Sequence, residues 1–224
     1  GDMGIEAQDN GYVLLKNLEF EFYKKTGSSQ NGQVSTLGKL ENKNFYGNNK
    51  TIKGASATNI SLKDGYLFEE INGSKIYDLI IENIYTNTNI TGSGVLAGTA
   101  SNSEFYNITV NNAKFENVGT DVGGLIGSYA GTATFEDIIM NNITISGANE
   151  YVGGLIGRFT ADSSSFSNIE IKTITIERAN NYLGGFMGSY ENTGTSTIIL
   201  GNGEYRDIVI SGKENIGGVF GSAS

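Results

Sequence analysis

One string occurs four times in this chain at nearly fixed spacing, and that constrains the fold more than any other feature. Val122-Gly123-Gly124-Leu125-Ile126-Gly127 recurs as Val152-Gly153-Gly154-Leu155-Ile156-Gly157, as Leu183-Gly184-Gly185-Phe186-Met187-Gly188 and as Ile216-Gly217-Gly218-Val219-Phe220-Gly221. The first glycines are 30, 31 and 33 residues apart. Ser93-Gly94-Val95-Leu96-Ala97 and Asp64-Gly65-Tyr66-Leu67-Phe68 are weaker copies upstream at similar offsets. A period of this length marks a repeat architecture, in which each unit buries its apolar face only by stacking on its neighbours.

Each repeat carries two further landmarks. Phe105-Tyr106-Asn107-Ile108, Phe135-Glu136-Asp137-Ile138 and Phe166-Ser167-Asn168-Ile169 align with one another, and Ile76-Tyr77-Asp78-Leu79 is the earlier copy. Tyr85, Phe115, Ile145, Ile176 and Ile210 fall in a third column. Every repeat thus holds three short runs of alternating β-branched and aromatic residues, the signature of strands, separated by Gly, Asn, Ser and Thr. Three strands per rung of about 30 residues, over about six rungs, specify an all-β, right-handed parallel β-helix. Equivalent positions then stack about 4.8 Å apart along the axis. Phe105, Phe135 and Phe166 are expected to form an internal aromatic stack. Asp78, Asn107, Asp137 and Asn168 are expected to form a ladder of hydrogen-bonded corner side chains, in which alternating Asp and Asn keeps carboxylates apart.

Composition agrees with this. The chain has no proline, which would remove a donor from any central strand. Its 32 glycines accompany regularly spaced Ile, Val, Tyr, Phe and Thr, which argues for order. The net charge of −9 and the lack of any basic cluster beyond Lys24-Lys25 weigh against nucleic acid and anionic membranes as partners. No segment approaches the ~20 apolar residues of a membrane span. The chain opens at Gly1-Asp2-Met3 without a visible signal peptide, as expected of a chain from which a leader has been removed.

The ends differ from the middle. Segments 12–20 and 45–52 alternate but do not repeat, so 1–54 is read as the N-terminal cap and first rung and 55–224 as the repeating rungs of one domain. The last rung opens at Gly217 and stops at Ser224, which leads us to expect a longer parent chain. Between Tyr190 and Tyr205 two registers compete for the Phe166 column. One places Tyr205 there, and the other, which needs smaller gaps, places Ile198 there.

The Val-Gly-Gly-Leu-Ile-Gly strings resemble the GLUG motif of bacterial surface and secreted proteins. Phe45-Tyr46-Gly47-Asn48-Asn49-Lys50-Thr51-Ile52 resembles the element that precedes those repeats, and Gly65-Tyr66-Leu67-Phe68 with Ile76-Tyr77-Asp78-Leu79 is similar to another of its elements. The resemblance spans nearly the whole chain. It implies a β-helix in a secreted or cell-surface bacterial protein, as in adhesins, passenger proteins and the non-catalytic N-terminal regions of IgA1-specific zinc metallopeptidases. The motif encodes architecture and says little of activity.

With no histidine and no cysteine, a Ser-His-Asp triad, an HExxH zinc site and thiol chemistry are all excluded within this segment. Paired carboxylates remain as the route to a polysaccharide-active enzyme, and Glu104, Glu136 and Asp137 are the nearest candidates. The plainer reading makes the two glutamates solvated and Asp137 a ladder residue. Asp64 with Glu69 and Glu70, or Asp121 with Glu150, are candidate cation sites, weighed against scattered surface acids. No catalytic residue, metal or cofactor is assigned. Tyr129, Tyr151, Tyr182 and Tyr190 lie beside the Gly-Gly strings and are the expected ligand surface, because exposed tyrosines make good anchors. The alternative is that they shield the corners. The function expected is a non-catalytic adhesin, stalk or ligand-binding segment with a host protein or glycan as partner. The arm of a zinc metallopeptidase is the alternative, and a polysaccharide enzyme ranks below both.

Overall fold

The structure, a computed structural model, describes residues 4–20, 36–54, 61–193 and 198–224. The Lys24-Lys25 pair and residues 194–197 of the irregular rung lie outside these. Among the described residues the chain is all-β, a solenoid of about six stacked parallel turns. Phe45, Ile76, Phe105, Phe135 and Phe166 pair in succession across adjacent turns, and Tyr12 pairs with Phe45. The N-terminal cap contains an antiparallel hairpin, Ile5–Gln8 against Gly11–Leu14, whose second strand starts the parallel stack by pairing with Asn44–Gly54.

Each turn is less simply divided than three runs suggest. A representative turn consists of one long ribbon, Ala97–Glu116, and a short strand, Thr120–Gly123. Left-handed residues at Asn102, Asn107, Asn112 and Asn117 bend the ribbon every five residues. Asn and Asp tolerate this conformation better than other residues with a Cβ, which explains why the corners are rich in them. A left-handed residue also interrupts the in-out alternation of an extended chain. The buried positions Phe105, Ile108, Val110, Ala113 and Phe115 therefore advance by alternate steps of three and two.

The interior is held in register by aromatic columns. Phe105, Phe135 and Phe166 stack with centroids 4.6 and 5.0 Å apart, as expected. A second internal column, Tyr129, Phe159 and Tyr190, stacks at 5.2 and 5.9 Å and meets the first edge to face. Offset and edge-on pairs of this kind contribute roughly 0.5–1.5 kcal/mol each beyond burial.

The Gly-Gly strings lie inside the stack. Val122, Leu125 and Ile126 are fully buried, and the chain folds sharply between them. A Cβ on Gly123 would lie 2.7 Å from Leu155 O of the next turn, and one on Gly124 would lie 2.8 Å from Met140 Cε. Backbone meets backbone here, so the repeat requires glycine for lack of space.

Two register expectations need correction. Thr86, not Tyr85, pairs with Phe115, and Tyr85 pairs with Lys114 on the outer face. A threonine is admissible in this inner column because its hydroxyl donates to Leu62 O at 2.9 Å. In the irregular rung, Leu200 occupies the Phe166 column, Ile198 pairs with Ser164, and Tyr205 pairs with Ile171. The insertion precedes Ile198 and displaces the frame by two residues from the register expected.

Candidate functional site

The four tyrosines expected to share a face do not share one. Tyr129 is buried, and its hydroxyl bonds to Ser103 O at 2.9 Å and to Thr132 O. Burial pushes the phenol of Tyr129 well above its ordinary range. Tyr190 is buried too, in the same inner column. Both fall on inward positions of the strand that follows the Gly-Gly fold, so packing claims them.

Tyr151 and Tyr182 remain on the surface, half-buried, and they form the most unusual feature of the molecule. Their rings stack at 4.7 Å with planes 7° apart. Arg158 lies over the Tyr151 ring, its Cζ 3.8 Å from the centroid, while its Nε donates to Asp121 Oδ1 at 2.9 Å. Desolvation raises the Asp121 carboxyl above its ordinary range, the Arg158 charge opposes this, and Glu150 adds to it.

The backbone makes this corner distinctive. Val122, Val152, Leu183 and Ile216 are paired in register, and Val122 also pairs with Ser93. The residue before each one is therefore equivalent: Gly92, Asp121, Tyr151, Tyr182 and Asn215. All five are left-handed, with φ of 89°, 57°, 57°, 54° and 49°. Gly, Asp and Asn are suited to such a position, whereas a bulky residue there is a true outlier costing roughly 1–2 kcal/mol. Stacking and the cation–π contact offset a comparable amount within the fold. Two strained tyrosines in adjacent turns thus hold a guanidinium against an aromatic face, and that guanidinium offers terminal N–H donors to an acceptor-rich ligand.

The ladder residues behave as corners. Asp78, Asn107, Asp137 and Asn168 are all left-handed. Asn107 Nδ2 donates to Asp78 Oδ1 at 2.8 Å, and Asn168 Nδ2 to Asp137 Oδ1 at 2.7 Å. The carboxylate candidates serve the stack in other ways. Glu104 is register-paired with Thr134 and Glu136 with Tyr106, so the two glutamates stand in different columns. Tyr106 donates to Glu104 at 2.6 Å and Lys75 Nζ lies 3.3 Å from it. These contacts hold the Glu104 carboxyl below its ordinary range, the Tyr106 hydrogen bond contributing most, against a smaller desolvation. Asp64 accepts from Thr36 N, and Glu70 pairs with Lys39. Among the described residues no group of three or more His, Cys, Asp or Glu is placed to hold a metal ion.

A surface feature that the sequence reading missed is a second tyrosine ladder, Tyr46, Tyr77 and Tyr106, stacked at 5.4 and 5.3 Å on the outer face. The signal was present, since each tyrosine follows Phe45, Ile76 or Phe105 of the inner column. Set against known proteins, the chain matches no family model, no curated protein and no solved structure.

Proposed function

We propose that this chain is a non-catalytic β-solenoid module of a secreted or cell-surface bacterial protein, a stalk that presents a host-ligand-binding corner at Tyr151 and Tyr182. The observation that carries this reading is the left-handed pair of stacked tyrosines in a column otherwise filled by Gly, Asp and Asn. Backbone strain retained at adjacent turns marks a place selected for something besides stability. The engagement of Glu104 by Tyr106 and Lys75, and of Asp137 by Asn168, supports a role for these carboxylates in holding turns together instead of transferring protons. The likeness of the Gly-Gly strings to GLUG repeats supports the surface location.

The test is the double variant Tyr151→Asn, Tyr182→Asn, which restores residues that the same column already accommodates. Its melting midpoint is expected to stay within a few degrees of the parent. Binding to immobilised immunoglobulin A1 or to a mammalian glycan array, whichever the parent protein recognises, is expected to be lost. Retained binding by a folded double variant refutes the corner as the recognition site.

A further inference from the structure

At another place on the turn, three successive rungs line a groove of about 350 Å³. One wall is the outward column Glu104, Thr134 and Ser165, and the exposed side chain of Ile199 closes the end. Asn102, Thr132 and Ser163 form the opposite rim. The floor between them is the column Ser103, Ala133 and Ser164.

The floor contains an anomaly. Ser103 Oγ donates to Ser101 O at 2.7 Å, and Ser74 in the preceding turn donates to Asn72 O at 3.1 Å, each a local bond to the residue two before. Ala133 has no hydroxyl to satisfy. Ser164 is 4% exposed, and its Oγ is buried without a hydrogen-bond partner. Leaving a buried hydroxyl unpaired is costly, so a partner from outside the chain, solvent or ligand, is favoured there. Ala133 shows that alanine fits this column, so a hydroxyl at Ser164 is not needed to fill space.

We propose that this groove binds a neutral oligosaccharide lying along the solenoid axis, with Ser164 Oγ hydrogen-bonded to a sugar hydroxyl. Each wall presents one polar group per turn, an amide and a carboxylate on the first turn and hydroxyls on the next two, an array suited to a chain that carries hydroxyls at regular intervals. The carboxylate of Glu104 is already ion-paired with Lys75, so the groove offers little to attract a charged ligand. An extended peptide is disfavoured for a different reason. Such a ligand would bind through main-chain pairing to a free strand edge, but Ala133 and Thr134 are already laddered to Ser164 and Ser165. The inference is independent of the tyrosine corner, which lies in a different column.

The experiment is an amide-resolved NMR titration of the intact chain with cellotetraose, maltotetraose, xylotetraose and chitotetraose, with Ser164→Ala and Ser163→Trp as variants. At least one sugar is expected to shift the resonances of residues 102–104, 132–134 and 163–165 together. Ser164→Ala is expected to weaken that binding about tenfold, the loss of one hydrogen bond. The free variant should melt at the same temperature as the parent or higher, because it loses an unsatisfied group. Ser163→Trp, on the exposed rim, should block the groove without touching the core. No groove shifts with any of the four sugars at millimolar concentration would overturn the proposal, and so would full affinity in Ser164→Ala. Double substitution of Tyr151 and Tyr182 should leave sugar binding unchanged, which separates a failure here from a failure of the tyrosine corner.

Discussion

The Gly-Gly column contains its own control experiment. Gly124, Gly154, Gly185 and Gly218 are equivalent positions in four turns, but their surroundings differ. A Cβ at Gly154 would overlap Gly185 O of the next turn, with Gly185 C at 3.2 Å and Ile174 Cγ1 at 3.4 Å. At Gly218 it would meet nothing within 4 Å. Neither residue has positive φ, so the comparison isolates packing from backbone strain. In Gly154→Ala the next turn must move by about 0.5–1 Å or more, enough to forfeit a quarter to a half of the local dispersion energy. The movement also stretches the bonds Gly154 N to Gly184 O, Leu155 N to Phe186 O and Ile156 N to Phe186 O, now 3.2, 3.0 and 3.2 Å. Overpacking costs roughly 1–3 kcal/mol and each weakened bond up to about 1 kcal/mol, against about 0.4–1 kcal/mol regained from the stiffer unfolded chain. The expected loss is about 3 kcal/mol, equivalent to a fall in melting midpoint of roughly 6–12 °C for a chain of this size. Gly218→Ala should be neutral or slightly stabilising. Thermal and urea unfolding followed by far-UV circular dichroism measures both. If the two variants are equally stable, the steric account of the Gly-Gly repeat is wrong.

The corners and the carboxylates give two further tests. Asp137→Ala loses the Asn168 bond and places an ordinary side chain at φ 57°, whereas Asp137→Gly loses the bond alone. Alanine should therefore be less stable than glycine by about 1–2 kcal/mol in urea melts, the reverse of their order in a strand interior, and the usual order would refute the corner assignment. Glu104 and Asp121 should titrate on opposite sides of the ordinary carboxylate range in carboxyl-carbon NMR. The depressed Glu104 adds stability that is present above its unfolded pKa and is lost as pH falls through its lowered folded value. The raised Asp121 acts in the other sense, its ionisation costing stability as pH rises from the ordinary value to the raised one. Tyr106→Phe should return Glu104 toward the ordinary range, and an unmoved titration would show that the Tyr106 hydrogen bond is not its main cause.

Much of the fold was legible because a solenoid repeats its geometry with its sequence. The Gly-Gly strings, the Phe105, Phe135 and Phe166 stack and the Asp/Asn corners each follow from one residue type recurring at one spacing. Residue likeness misleads where parity along the strand decides which side chain faces inward. Tyr85 resembles Phe115, but it is Thr86 that faces inward, its hydroxyl satisfied by Leu62 O. Tyr129 and Tyr190 lie as close to the glycines in sequence as Tyr151 and Tyr182 do. Their register partner Phe159 shows that the column is internal. The displacement at Leu200 follows an insertion whose length cannot be assigned to a corner until pairing is known. Tyrosine itself gives no hint of positive φ, and the signal for Tyr151 and Tyr182 lies in the repeat, where Asp121 and Asn215 take the same place before the Gly-Gly string.

In a stack of near-identical turns, each column states what its geometry requires, and a departure from the column is informative in proportion to its cost. Isoleucine at Ile76 in the inner column keeps a large apolar side chain where phenylalanine stands in the neighbouring turns, so the column's demand for burial is still met. Tyrosine among Gly, Asp and Asn at a left-handed corner is expensive. So is a buried serine hydroxyl left unmade where the neighbouring turns either satisfy it or replace it with alanine. These two departures lie in different columns and involve different chemistry. Neither is explained by the stacking that accounts for the rest of the molecule. A scaffold whose turns each pair with their neighbours leaves its outward side chains free to vary. Recognition on such a scaffold is therefore to be sought where a column breaks its own rule at a cost to stability, and these two departures both open onto the surface.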